Sequence, residues 1–426
     1  MNASGVRPDG GWIDGGWPDG HEPEDDLHTL IEVVTDDGLR GVGSIFTSSS
    51  LVAAGLETLR PLWQGEEALE AERVGLSALT AGVTTGVHAA GLAVAGAADA
   101  LVAFARARGA AVVTTLMGKG ILPYVDDHAM GVKGFGFRDF PDLALERADA
   151  LITVGIDPYE LDADQLVGPQ CRAIVHVGPA PAPVLSGFPV DVDVVGDIRH
   201  SLVALTPSGV RDLWCADIRE AWQDDLEQRG EDSCCHPGIV RRVQQASPAN
   251  AIVVGDVGSH KQWIARTFDV GRDQDLLLSN GLASMGVGLP MAIGAAHACP
   301  DRPIVLINGD GGFWMNGAEL ETAVRCGIHL TAVVLLDEHF GLIRLKQQND
   351  NVPVTGTTFG AVDVARAAEA FGAKGVHCED ASTLTDALTT ALASKGVTVI
   401  SVPVQSSTDI QHIESIAHAV GELAGA

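Results

Sequence analysis

Two carboxylates occupy positions from which a chain could do chemistry. Asp310 lies in the glycine-rich stretch Asn308-Gly309-Asp310-Gly311-Gly312, which follows the apolar run 303–307 and opens a helix. Asp337 follows a second apolar run, 331–336, and the separation is 337 − 310 = 27 residues. A strand–helix–strand unit of that length makes the two strands parallel with a right-handed crossover, so both aspartates emerge on one edge of the sheet. That edge, beyond the carboxyl ends of the strands, is where open α/β sheets bind ligands. The intervening helix begins there, and its free backbone N–H groups suit anionic oxygens. A carboxylate alone would repel a phosphate. Two carboxylates and a diphosphate are compatible around a hard divalent cation, and Mg²⁺ takes oxygen ligands octahedrally and bridges carboxylates to phosphates. The loop is therefore expected to hold Mg²⁺ and, through it, a diphosphate. A Gly-Asp-Gly sequence by itself is only a turn; the partner Asp337 makes it a site. Glu319 and Glu321 follow on the same predicted helix.

The elements that would position these residues form an α/β pattern. From Ala251 the chain reads strand (AIVVGD), helix (HKQWIARTF), helix (GVGLPMAIGAAHA), strand (PIVLIN), helix (NGAELETAVRCG), strand (LTAVVLLD), helix (AVDVARAAEAFG) and strand (VTVISVPV). From about residue 98 to Pro207 a smaller parallel unit is expected, with strands AAVVTT, LITVGID, AIVHVG and VDVDVVGD. Residues 208–247 are polar and read as a connector, with Trp214 and Trp222 on one helix. Ahead of these units, HTLIEVVTDDGLRGVGSIFTSS reads as two strands around an Asp36-Asp37-Gly38 turn, and a short helix follows, ending at Gly65. Residues 1–26 are Gly/Pro/Asp-rich and predicted to be disordered or loosely attached. The fold class is α/β: two doubly wound parallel-sheet domains (86–207 and 248–426) behind a small α+β segment (27–85).

Composition excludes several classes of partner. The 426 residues carry a formal net charge of −29, so nucleic acid and anionic membrane surfaces are poor partners. The most apolar stretch, 89–105, is mostly Ala and Gly and is broken by Asp99, so no bilayer span is expected. The N-terminus has no apolar core of a signal peptide. Seven cysteines without a metal-like CxxC pair read as free thiols in a reducing, cytoplasmic compartment.

The residues then resemble a family. The stretches GDGGFWMNGAELETA and VVLLDEHFGLIRLKQ are similar to the cofactor signature of thiamine-diphosphate (ThDP) enzymes. DVGSHKQWIARTF and SNGLASMGVGLPMAIGAA resemble matching segments of the acetolactate synthase branch, most like its catabolic members. The unit from ARGAAVVTTLMGKGILP to VDVVGDIRHSLVAL resembles the central domain of the same enzymes. Several independent motifs occur in the family's order over roughly residues 86–426. The resemblance implies ThDP and Mg²⁺ as cofactors, with the ion held by Asp310, Asp337 and the backbone carbonyl of His339. Asp337 replaces the family's second Asn, and Leu336 stands where its first Asn usually is. The implied cofactor contacts are Gly258, Ser259, His260, Ala283, Ser284, Met285, Gly309, Asp310, Gly311, Gly312, Asp337, His339 and Phe340. Ser259 and His260 would face the diphosphate, Met285 would wedge under the cofactor, and the Ala283 carbonyl would meet its aminopyrimidine. By position alone His260 is equally a helix-cap residue and Met285 a packing residue. FAD belongs to the anabolic branch, and no residue here argues for it.

The resemblance also implies a pyrimidine-binding domain with an activating Glu, which the first 85 residues do not resemble. They are similar instead to the capping domain of the mandelate-racemase type in the enolase superfamily. Glu32, in the first predicted strand, is the right residue type on the right kind of element to stand in, although a solvated strand edge explains it more simply. Three expectations follow. The chain is an acetolactate-synthase-like enzyme that joins two pyruvates with loss of CO₂, working as a homodimer or with a partner chain that supplies the pyrimidine domain. It is a fused or truncated ThDP-binding remnant. Or it is a non-catalytic binding protein that uses the cap as an interaction module.

Overall fold

The computed structural model describes residues 29–34 and 40–45 as backbone, and 96–134, 137–156, 166–182, 188–228, 234–270, 275–280 and 283–425. The chain divides into two units, 1–87 and 88–426. In the first, β1 (Thr29–Val34) pairs antiparallel with β2 (Arg40–Ile45), and Glu32 stands opposite Val42. The predicted Asp36-Asp37-Gly38 turn and the helix ending at Gly65 lie outside the described residues.

The second unit begins with α1 (Ala98–Arg108), β3 (Val112–Thr114), β4 (Ala129–Val132), α2 (Phe140–Arg147), β5 (Ala150–Val154), β6 (Ala173–Gly178), β7 (Val192–Val195) and α3 (Ile198–Leu205). β3 pairs with β4, and β5–β6–β7 form a second sheet, all parallel. Asp139 caps α2 by accepting from Phe140 N, while its own N–H donates to Asp142, a reciprocal capping box.

Residues 208–247 differ from the expected connector. They form α4 (Ala216–Gln228) and α5 (His236–Ala246). Ile218, Trp222 and Asp225 recur at helical spacing and are buried, whereas Glu220, Asp224 and Glu227 face solvent. The polar composition is that of an amphipathic helix, not of a linker. Trp214 lies ahead of α4 and is exposed.

The remaining elements are β8 (Ile252–Gly255), α6 (Ser259–Thr267), β9 (Asp275–Leu278), α7 (Gly288–Ala298), β10 (Ile304–Gly309), α8 (Asp310–Asn316), α9 (Leu320–Arg325), β11 (Leu330–Leu336), α10 (Gly341–Asn349), α11 (Val364–Ala370), β12 (Lys374–His377), α12 (Ala381–Leu392), β13 (Val397–Pro403) and α13 (Ser406–Gly425). The sheet runs β12-β13-β11-β10-β8-β9, parallel throughout. Alternation along each strand divides its side chains between two cores. Val253, Val305, Ile307, Val333 and Leu335 pack with Trp222, Ile239 and Ile264 on one face. Ile252, Val254, Leu306, Ala332 and Val334 pack with Leu289, Phe313 and Ala368 on the other. Burial on both faces explains why these strands read as unbroken apolar runs. The helix expected over NGAELETAVRCG is interrupted: α8 and α9 are separated by a 3₁₀ turn, Gly317–Glu319. Gly317 is a poor helix former, and the Asn316 side chain bonds outside its own helix, to Gly286 O.

Arg266 joins the parts of this unit. Fully buried on α6, it donates to Asp139 ahead of α2 at 2.6 Å and to Asp225 on α4 at 2.7 Å.

Candidate functional site

β8, β10 and β11 are neighbours in the sheet, and each ends in an aspartate: Asp256, Asp310 and Asp337. Asp310 opens α8 and is 4% exposed. Its Oδ1 accepts from Gly311 N at 2.8 Å, and its Oδ2 from Glu338 N at 2.9 Å and Asp337 N at 3.2 Å. The two predicted metal carboxylates are thus brought to one place. Burial pushes the Asp310 carboxyl up to about 6, against the backbone donors, and the charge of Asp337 adds to the rise. A divalent cation there would reverse that penalty.

Three helices start around these carboxylates. A Cβ on Gly341, at the start of α10, would lie 2.9 Å from Asp337 Oδ2 and 3.4 Å from Ser259 Oγ at the start of α6. A Cβ on Gly309 would lie 3.3 Å from the His260 ring. The first turns of α6, α8 and α10 therefore converge, with backbone N–H groups suited to anionic oxygens. A Cβ on Gly311 would come within 2.7 Å of the Phe340 ring, which itself lies 5.2 Å from Phe359. The bare Gly311 is what lets Phe340 pack against this turn.

His260 is 3% exposed, and its Nε2 has no hydrogen-bond partner. Burial, helped by nearby His236, lowers its pKa to about 3, so the ring is neutral and Nε2 is free to meet a polar group of a ligand. The bridge between His339 and Thr358 runs through Phe340 N to Thr357 O and Phe359 N to Glu338 O, leaving the His339 carbonyl outside it. Phe340 and Glu338 are pinned by that bridge, and Glu338 has a left-handed φ of 59°. Ala283 also takes a left-handed φ, 45°, in the loop that carries the exposed Ser284 and half-buried Met285. Gly258 caps α6. Glu319 and Glu321 do not join the site: Glu319 accepts from Thr322 at 2.9 Å and Glu321 pairs with Arg325 at 2.9 Å.

The donor set fits Mg²⁺ and a diphosphate. It combines two adjacent carboxylates with spare lone pairs, a carbonyl, converging helix starts and an orphaned imidazole nitrogen. The residue that sequence reasoning missed is Asp256. It accepts from Gly286 N at 3.0 Å and Gly288 N at 2.9 Å. Its signal was present, since it ends a buried strand just as Asp310 and Asp337 do.

Comparison with known proteins matches residues 87–205 to the central domain of thiamine pyrophosphate enzymes, and residues 256–402 to their C-terminal TPP binding domain. The chain carries the central and C-terminal domains of a thiamine pyrophosphate enzyme. The cofactor these domains serve is ThDP with Mg²⁺. The chain is 32% identical over 298 residues to an acetolactate synthase of Bacillus subtilis, an alignment covering 67% of this chain and 52% of that protein. It is 33% identical over 277 residues to a catabolic acetolactate synthase of Raoultella terrigena, covering 62% and 49%. With the large subunit of acetolactate synthase isozyme 2 from Escherichia coli it shares 29% over 328 residues, covering 75% and 59%. The chain thus spans about half the length of the curated relatives it matches. The domain matches begin at residue 87, and the likeness of residues 27–85 to an enolase-type cap finds no support in them. Among the described residues no helix is long and apolar enough to cross a membrane, and none of the seven cysteines is in a disulfide.

Proposed function

We propose that this chain is the cofactor-holding part of an acetolactate-synthase-like enzyme, which condenses two pyruvates to 2-acetolactate and CO₂ once a pyrimidine-binding domain is supplied in trans. The observation that carries this reading is the meeting of Asp310 and Asp337 beside three helix starts, within a domain of the thiamine pyrophosphate family. Asp310, Asp337 and the His339 carbonyl hold Mg²⁺. The turn Gly309, Gly311 and Gly312 presents its backbone to the diphosphate, with Gly258, Ser259 and His260 on its other side. The loop of Ala283, Ser284 and Met285 orients the ring system, and Phe340 closes the turn against water. When bound, ThDP supplies a carbanion at its thiazolium carbon.

The activating Glu comes from the partner domain, in a homodimer or a two-chain assembly. Met315 and Ile343, on α8 and α10 beside the site, are 49% and 47% exposed, as a surface awaiting a partner would leave them. Residues 27–85, including Glu32, keep their enolase-cap reading as a sequence resemblance only. Free thiols fit a cytoplasmic location.

The test is calorimetric titration of the chain with ThDP, with and without Mg²⁺, followed by a pyruvate assay with and without a separately produced pyrimidine-binding domain from a relative. Mg²⁺-dependent binding is expected. Turnover is expected to rise on adding the domain by the ~10²–10⁴ that general acid–base help is worth. Failure to bind ThDP in the presence of Mg²⁺ would sink the proposal.

A further inference from the structure

The loop 283–288 is fixed by two side chains that make no part of the metal set. Asp256, fully buried at the end of β8, accepts from Gly286 N at 3.0 Å through Oδ2 and from Gly288 N at 2.9 Å through Oδ1. From the other side, Asn316 Nδ2 donates to Gly286 O at 2.9 Å. Both peptide groups of Gly286 are therefore held, one by the strand below and one by the last residue of α8, whose first residue is Asp310.

Close packing ties the same parts together. A Cβ on Gly312 would lie 2.0 Å from Asp256 Oδ2, and one on Gly286 would lie 2.8 Å from the Met315 Cβ and 3.1 Å from Gly312 O. Gly286 adopts a φ of +83°, open to glycine at little cost. Three residues upstream, Ala283 holds a left-handed φ that a non-glycine residue keeps only where its surroundings over-determine it.

We infer that Asp256 and Asn316 form a clamp that sets the loop of Ala283 and Met285 in register with the Asp310 turn, and so orients the ring system of the cofactor after its diphosphate has bound. This rests on the ThDP reading above. Asp256 and Asn316 are positioning residues, acting through Gly286 and Gly288 and not by touching metal or phosphate. Loss of the clamp should spare a ligand that has only the diphosphate end and weaken one that also carries the rings.

The experiment compares two probes, ThDP and inorganic diphosphate, each titrated with Mg²⁺ into the full chain and two variants. In Asp256→Asn the side chain keeps its shape but turns one acceptor into a donor facing a backbone N–H. ThDP affinity is expected to fall about tenfold or more, and diphosphate affinity to stay within about twofold. Asn316→Ala removes one bond at a solvent-facing helix end, and about a three- to fivefold loss for ThDP alone is expected. Circular dichroism and ligand-free melting verify folding; if Asp256→Asn does not fold, Asn316→Ala decides. Parallel loss of both probes would mean a purely structural role and overturn the clamp, as would unchanged ThDP affinity in a folded variant. A parent chain that binds neither probe would instead overturn the cofactor reading on which the clamp rests.

Discussion

The Asp310 carboxylate accepts a hydrogen bond from the backbone N–H of Asp337 at 3.2 Å, across the carboxyl ends of two adjacent parallel strands. This bond, with the neighbouring one from Glu338 at 2.9 Å, fixes the distance between two carboxylates that would otherwise repel. Asp310→Asn keeps the shape and removes the charge. ThDP binding in the presence of Mg²⁺ is expected to weaken by about 100-fold, at the upper end of what disturbing the surroundings of a metal site costs. Titration calorimetry on parent and variant measures it; equal affinities would remove Asp310 from the metal set.

The same carboxyl gives a pH dependence. Its pKa rises from 3.8 to about 6 on folding, first through burial and further through the charge of Asp337, so the fold favours the protonated acid. In the metal-free protein the stability this group contributes is fully present below 3.8 and lost as pH rises through about 6. Mg²⁺ needs the ionised form, so its affinity should run the other way, climbing as pH rises towards about 6 and levelling off above it. Titrations from pH 5 to 8 on the parent, with Asp310→Asn as the reference that lacks this proton, check the trend. A difference between the two that does not change with pH would contradict it.

Arg266 carries a separate prediction, about stability. It lies buried between Asp139 and Asp225, and both carboxylates are themselves buried. Arg266→Ala would leave two anions without their counter-charge, which costs about 3–5 kcal/mol when one partner of a buried ion pair is removed. Urea denaturation followed by tryptophan fluorescence reads this directly, since Trp222 and Trp263 lie in the same core. A loss under about 1 kcal/mol would place the network among weak, surface-like pairs.

Much of the C-terminal sheet was legible because strands buried on both faces announce themselves as apolar runs; β8, β10, β11 and β13 stand where the sequence puts them. The short strands β9 and β12 of that sheet, and β4 of the central unit, were not. Ala-Met-Gly-Val and Lys-Gly-Val-His carry too little alternation to show a period, and neighbouring strands hold them in place. In the site, Asp310 and Asp337 could be paired from spacing alone, because a strand–helix–strand unit fixes where its ends emerge. Asp256 could not, since its partners Gly286 and Gly288 are 30 and 32 residues away and the contact depends on how the loop folds back. The buried faces of α4 and α5 were hidden by average polarity, although Ile218, Trp222 and Asp225 have the spacing of an amphipathic helix.

Two glycines with opposite surroundings separate packing from propensity. Gly312 lies on α8, and an added Cβ would come 2.0 Å from Asp256 Oδ2 and 3.0 Å from Asn308 Oδ1, neither on a flexible, exposed side chain. Gly294 lies mid-way along α7, exposed, with nothing within 4 Å of its would-be Cβ. Gly294→Ala should stabilise the chain by about 0.5–1 kcal/mol, the usual gain for Ala over Gly inside a helix. Gly312→Ala should destabilise it by about 1–3 kcal/mol through overpacking. Because the displaced group is the Asp256 carboxylate, Gly312→Ala should also weaken ThDP binding, whereas Gly294→Ala leaves it unchanged. Chemical denaturation and cofactor titration on both variants test this. A stable Gly312→Ala that binds ThDP as the parent does would show that the Asp310 turn and the 283–288 loop are not interlocked.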